Sequence, residues 1–274
     1  MFIIIAYGFR YFQKHNLKYA GSFMAAAALS AYLLNSQQYV LPLFDAFLGV
    51  GLVALVFFQT LEKDNDASQA LIRSAGIALS YGVLRNLLFR QLLLEQIRKN
   101  SQLTAELTTE LFADNAELLQ LAQQSVATSE SFFNSYWAAI WYLVIITALF
   151  LGMVWLSQRE MESFKISELI LPYWFVYPLI ISMVFFLLPA LRVIGGNMLL
   201  MIMPLFLIQG IAVSVYYLKN VVHNRNTLWI MVLLAIFLNY LYLILMVILG
   251  ISELWLQYRE NHRKKIKSMF NEKN

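Results

Sequence analysis

Apolar residues run along this chain in blocks too long for ordinary soluble helices, and short polar clusters separate one block from the next. A helix crossing a bilayer needs roughly 20 mainly apolar residues, because the hydrocarbon core is about 30 Å thick and a helix rises about 1.5 Å per residue. Val40 to Thr60 meets that length, is interrupted by Pro42 and Asp45, and stops at the polar cluster Glu62 to Asp66. Tyr136 to Leu156 is bracketed by Trp137, Trp141 and Trp155, as expected of interfacial aromatic belts. Tyr173 to Leu188, Ile194 to Leu218 and Leu228 to Leu249 predict three further spans. Near the start, the short apolar helix Phe2 to Phe12 and the small-residue helix Ala20 to Leu34 flank a basic turn with Arg10, Lys14 and Lys18. The first helix reads as retained, since no positive leader or clear cleavage site accompanies it. The pattern predicts an all-α, polytopic membrane protein whose 274 residues form one helical membrane domain.

Two stretches break the pattern. Gln69 to Arg98 is apolar enough to insert but carries Arg73, Arg85 and Arg90. Ser101 to Ser131 then sets Leu103, Leu107, Leu111 and Leu118 at helical spacing, among acidic residues and with no basic one. Residues 69–132 are therefore expected as an amphipathic hairpin on the cytoplasmic surface. Seven spans remain, with the N terminus outside. Of the 20 Lys and Arg residues, only Arg159, Lys165, Lys219 and Arg225 then face outward, as the positive-inside rule favours. If 69–98 crosses instead, there are eight spans and the charge split nears parity. Residues 251–274 are expected as a basic interfacial tail in which Trp255 and Tyr258 precede Arg259, Arg263, Lys264, Lys265 and Lys267.

Composition narrows the chemistry. Charged residues make up 13% of the chain, against about 25% in soluble proteins, and 60% are hydrophobic. The absence of cysteine excludes disulfides and thiolate metal sites, and the scattered His15, His223 and His262 predict no metal cluster. The net charge of +4 comes largely from the tail, which suits membrane lipid and not nucleic acid. No phosphate loop, zinc-protease pair or nucleophile elbow occurs, so neither an enzyme nor a bound cofactor is expected.

The polar exceptions within the spans supply the candidate residues. Asp45 is an ionisable group in a span, which defaults to a functional hypothesis, though it lies only roughly 7 to 8 Å below the helix start. Arg85 is its ionic partner if residues 69–98 insert. Asn197 and Gln209, about 120° apart on an unbroken helix, are the other ligand-binding candidates. Gly196, Gly210 and Ser214 fall within about 40° of one another and predict a stripe on which a second helix packs closely.

The C-terminal half, with LPYWFVYPL, PALRVIGGNMLLM, PLFLIQGIAVSVYYLK and LGISELWLQYRE, resembles the YybS-like family of uncharacterised bacterial inner-membrane proteins. More loosely, FIIIAYGFRYFQKHNLKYAGSFMAAAALSAYLL is similar to a stretch of the substrate-binding S components of energy-coupling-factor transporters. That resemblance implies an inner-membrane subunit that binds a small molecule and works with partner proteins. It carries over no ligand-binding residue. The competing reading is a membrane scaffold or assembly factor that binds other membrane proteins through small-residue faces and the hairpin.

Overall fold

The computed structural model describes residues 41, 44–64, 66–157, 166–218, 239–262 and 264. The helices expected at 2–12 and 20–34, the loop 219–227, His15, His223 and the tail beyond residue 264 lie outside them. A π-helical segment, Asp45–Leu52, runs directly into α1, Val53–Asp64. There follow α2, Ala67–Leu111, α3, Ala116–Ser157, α4, Val176–Leu187, α5, Arg192–Leu218, and α6, Asn239–Leu256. Among the described residues there is no strand, so the all-α expectation holds.

The start of α2 is specified locally. Asp66 is extended at φ −120° and ψ 107°, and its carboxylate accepts from the backbone N–H groups of Ser68 (2.8 Å) and Gln69 (3.2 Å). These are donors that the first turn of a helix leaves unpaired. Beyond this cap the first half of α2 is buried along Ala70, Leu71, Ser74, Ala75, Ala78, Tyr81, Gly82 and Arg85, packed against α1 and α3. Beyond Phe89 the buried positions thin out to Leu93, Ile97 and Thr108. α2 bends at Phe89, with φ −115° and ψ 18°. α3 bends at Tyr136, with φ −119° and ψ 15°. Past both bends the two helices continue as an antiparallel pair joined by residues 112–115.

The core is concentrated where α1, α2, α3 and α5 meet, around Phe57, Leu71, Ile145, Ile146, Met153 and Phe206. Gln209, at 0% exposure, ties it to neighbouring segments: its Oε1 accepts from Leu171 N–H (2.8 Å) and its Nε2 donates to Gly250 O (2.9 Å). Ser68 accepts from Ile170 N–H, which brings the start of α2, the segment 166–171 and the end of α6 to one end of the bundle.

α4 and α5 meet at a sharp corner. A side chain at Gly195 would strike the backbone of Phe185 and Phe186, so only glycine allows that approach. The outer faces of α4 and α6 expose Ile180, Ile181, Met183, Val184, Leu187, Ile244, Leu245 and Ile248. So many large apolar side chains exposed on two helices match lipid contact.

Candidate functional site

Three elements each contribute residues four positions apart. The π-helical segment supplies Asp45 and Gly49, α2 supplies Tyr81 and Arg85, and α3 supplies Trp137 and Trp141. Arg85 Nε and Nη2 donate to Asp45 Oδ1 (2.6 Å) and Oδ2 (2.8 Å), a bidentate pair, and Tyr81 Oη donates to Oδ1 (2.7 Å). Arg85 is 4% exposed. Its guanidinium carbon lies 4.4 Å from the Trp141 ring centre and 5.5 Å from that of Trp137, so both indole π-systems add to its stabilisation.

Glycine makes the approach possible. A β-carbon at Gly49 would stand 2.7 Å from Tyr81 Cε1 and 2.9 Å from Trp141 Cζ2. The rings of Tyr81 and Trp141 fill that space, with centres 6.2 Å apart. The pairing of Asp45 with Arg85, conditional in the sequence on insertion of residues 69–98, is made, and the buried first half of α2 supplies the arginine.

The cluster leaves donors over. Arg85 Nη1, Trp137 Nε1 and Trp141 Nε1 are buried without a hydrogen-bond partner. Buried polar groups are seldom left so, because each forfeits its hydration without return. Trp137 also lines a cleft of about 540 Å³ between the two arms of the hairpin, whose walls include Asn100, Thr104, Thr108, Ser125 and Glu130. That volume falls in the range of small-molecule sites, about 300–1,000 Å³. In the sequence this region shows only as a leucine stripe; the polar residues that face each other across it carry no motif.

The remaining candidates lie elsewhere. Asn197 donates from Nδ2 to Ser135 O and to Val193 O, both at 2.9 Å, tying α5 to α3. Gln209 is engaged at both ends of its amide, as described, so Asp45, Asn197 and Gln209 do not converge on one pocket. Gly196 lies under Tyr136, whose Cε1 would be 2.7 Å from a β-carbon there. Gly210 and Gly250 lie at the crossing of α5 and α6, where a β-carbon on either would strike the carbonyl of Met246 or Phe206. Ser214 Oγ donates to Met246 Sδ at 3.3 Å. The predicted stripe thus meets two neighbours, α3 at Gly196 and α6 at Gly210 and Ser214.

A second buried ion pair has no counterpart in the sequence reading. Arg259, expected among the lipid-facing basic residues, is 1% exposed. Its Nε donates to Glu253 Oε1 (2.7 Å), and its Nη1 donates to Ser167 O (2.9 Å) and Leu169 O (2.8 Å). In the same segment Lys264 does face outward, and its pairing with Glu260 (2.8 Å) holds that carboxyl below its usual range.

α3 and the stretch Pro189–Leu218 are each long and apolar enough to cross a bilayer. Together with the apolar outer faces and the internally satisfied charges, they define an all-helical membrane protein. The chain belongs to the DUF2232 family, described as predicted membrane proteins, whose family model matches residues 1–253. No curated protein and no solved structure matches it.

Proposed function

We propose that this protein is a small-molecule-binding subunit of a transport system in the bacterial inner membrane, resembling an energy-coupling-factor S component. The observation that carries the reading is the cleft of about 540 Å³ between the arms of the α2–α3 hairpin, lined by Asn100, Thr104, Thr108, Ser125, Glu130 and Trp137 among others. The chain displays no nucleotide-binding loop, so movement of a ligand across the membrane would draw on partner proteins. The subunit acts by binding and not by catalysis, spans the membrane several times, and uses neither cofactor, metal nor nucleic acid.

Leu103, Leu107 and Leu111, exposed at 58%, 59% and 76% on the α2 arm, support a second reading as a scaffold or assembly factor for other membrane proteins. Mass spectrometry of the gently purified, full-length protein separates the two. A stoichiometric small molecule released on denaturation is expected; a stable partner protein with no small molecule would favour the scaffold.

A further inference from the structure

Large apolar side chains are exposed in two settings. On α4 and α6 they belong to strongly apolar helices, and lipid accounts for them. On the hairpin arms lipid does not. Residues 101–131 carry Glu106, Glu110, Asp114, Glu117 and Glu130 with no lysine or arginine, and carboxylates are costly in hydrocarbon. Anionic headgroups would repel the same charges. Yet Leu103, Leu107, Leu111, Leu118 and Leu121 stand exposed there.

Spacing makes part of this surface fit for a second helix. At about 100° per residue, Leu103, Leu107 and Leu111 follow one another in steps of about 40°, a ridge of the kind that seats in the groove of another helix. Glu106 and Glu110 come three positions after Leu103 and Leu107, so each carboxylate stands about 60° to one side of its leucine. In helix pairs, an apolar seam flanked by charge lets the flank choose the partner's sign. Glu106, Glu110, Asp114 and Glu117 are exposed, and none of them is ion-paired among the described residues. A second copy of the arm would set carboxylate against carboxylate, which disfavours self-pairing. We propose that the leucine face of the α2 arm, from Leu103 to Leu111, docks a basic amphipathic helix of a partner protein, whose apolar side covers the leucines while its lysines and arginines meet Glu106 and Glu110. This inference rests on the scaffold reading above and specifies the partner's chemistry.

The absence of cysteine lets Gln102→Cys carry a single fluorophore on full-length protein in neutral detergent, at an exposed position beside the face. Three helical peptides serve as probes: a leucine heptad helix flanked by lysine, the same leucines flanked by glutamate, and the lysine peptide scrambled to destroy its apolar side. The first is expected to bind saturably, with an affinity about tenfold or more above the other two, an order that a few exposed ion pairs on an apolar seam can supply. Glu106→Lys with Glu110→Lys should reverse the preference between lysine and glutamate peptides, and Leu107→Asn with Leu111→Asn should weaken binding of the lysine peptide at least tenfold. All four positions are exposed, so thermal unfolding of both variants should match the parent. No saturable binding, equal binding of the lysine and glutamate peptides, or equal binding of the scrambled peptide would overturn the proposal. In cells, a benzophenone side chain in place of Leu111 is expected to crosslink a segment rich in lysine and arginine with apolar residues at helical spacing. Crosslinks confined to lipid, to a second copy or to the chain's own basic tail would overturn it. If the partner that co-purifies crosslinks elsewhere, or through an acidic or uncharged segment, the docking assignment fails while the scaffold reading stands.

Discussion

Arg259 closes on Glu253 across a single left-handed residue. The two lie six positions apart, too far for one helical turn, and Gln257 between them takes φ 44° to fold the chain back. With Arg259 1% and Glu253 4% exposed, neither charge reaches solvent. Glu253→Gln or Arg259→Met alone leaves a buried charge unanswered, so each should destabilise the protein by about 3–5 kcal/mol. The double variant should recover much of that loss. Thermal unfolding in detergent checks it, and additive losses in the double variant would mean the pair is not coupled.

The same reversal gives a stabilising prediction. A non-glycine residue in the left-handed region carries a penalty of roughly 1–2 kcal/mol, partly offset in glycine by its greater unfolded-state freedom. Gln257 is exposed, so its side chain contributes little packing. Gln257→Gly should therefore leave stability unchanged or raise it by up to about 1 kcal/mol. A clear drop in melting temperature would show that the side chain contributes more than its exposure indicates.

Asp45 and Arg85 should behave as a unit. Asp45→Asn removes the countercharge from a buried guanidinium and is expected to cost about 3–5 kcal/mol. Adding Arg85→Gln should restore part of it, giving a coupling of about 1–3 kcal/mol in a double-mutant cycle by thermal unfolding. Independent effects of the two substitutions would argue against the bidentate contact.

Two glycines should respond in opposite directions to one methyl group. Gly210→Ala drives a β-carbon into the Met246 carbonyl, so α5 and α6 must separate, at about 1–3 kcal/mol or more. Gly76 in α2 has nothing within 4 Å of its β-position. Gly76→Ala should be neutral or stabilising by about 0.5–1 kcal/mol, because alanine loses less backbone freedom on forming a helix. Comparable losses at both sites in a melting experiment would show that helix contact at Gly210 is not the cause.

Hydropathy by itself determined that the protein is helical and lives in a membrane, since a long unbroken apolar run can satisfy its own backbone in lipid as a helix, whereas a barrel strand would alternate. Local spacing also carried the small-residue stripe of α5 and the conditional partnership of Asp45 with Arg85. What spacing cannot carry is which face meets what. The leucines at 103, 107 and 111 show that the hairpin arms are two-sided, yet only packing decides that Thr104, Thr108 and Ser125 face one another across a cleft while the leucines remain exposed. Gln209, a candidate ligand group by its chemistry, is a clip between segments because Leu171 and Gly250 present backbone atoms to it. The charges of Arg73 and Arg85 counted against insertion as if isolated, whereas Asp64 and Asp45 on the preceding elements answer them at 3.0 Å and 2.6 Å. Arg259 reads as one more basic residue of the tail until the turn at Gln257 brings it back onto Glu253. In each case the deciding partner is remote in sequence or lies across a change of chain direction, and a one-dimensional pattern reports neither.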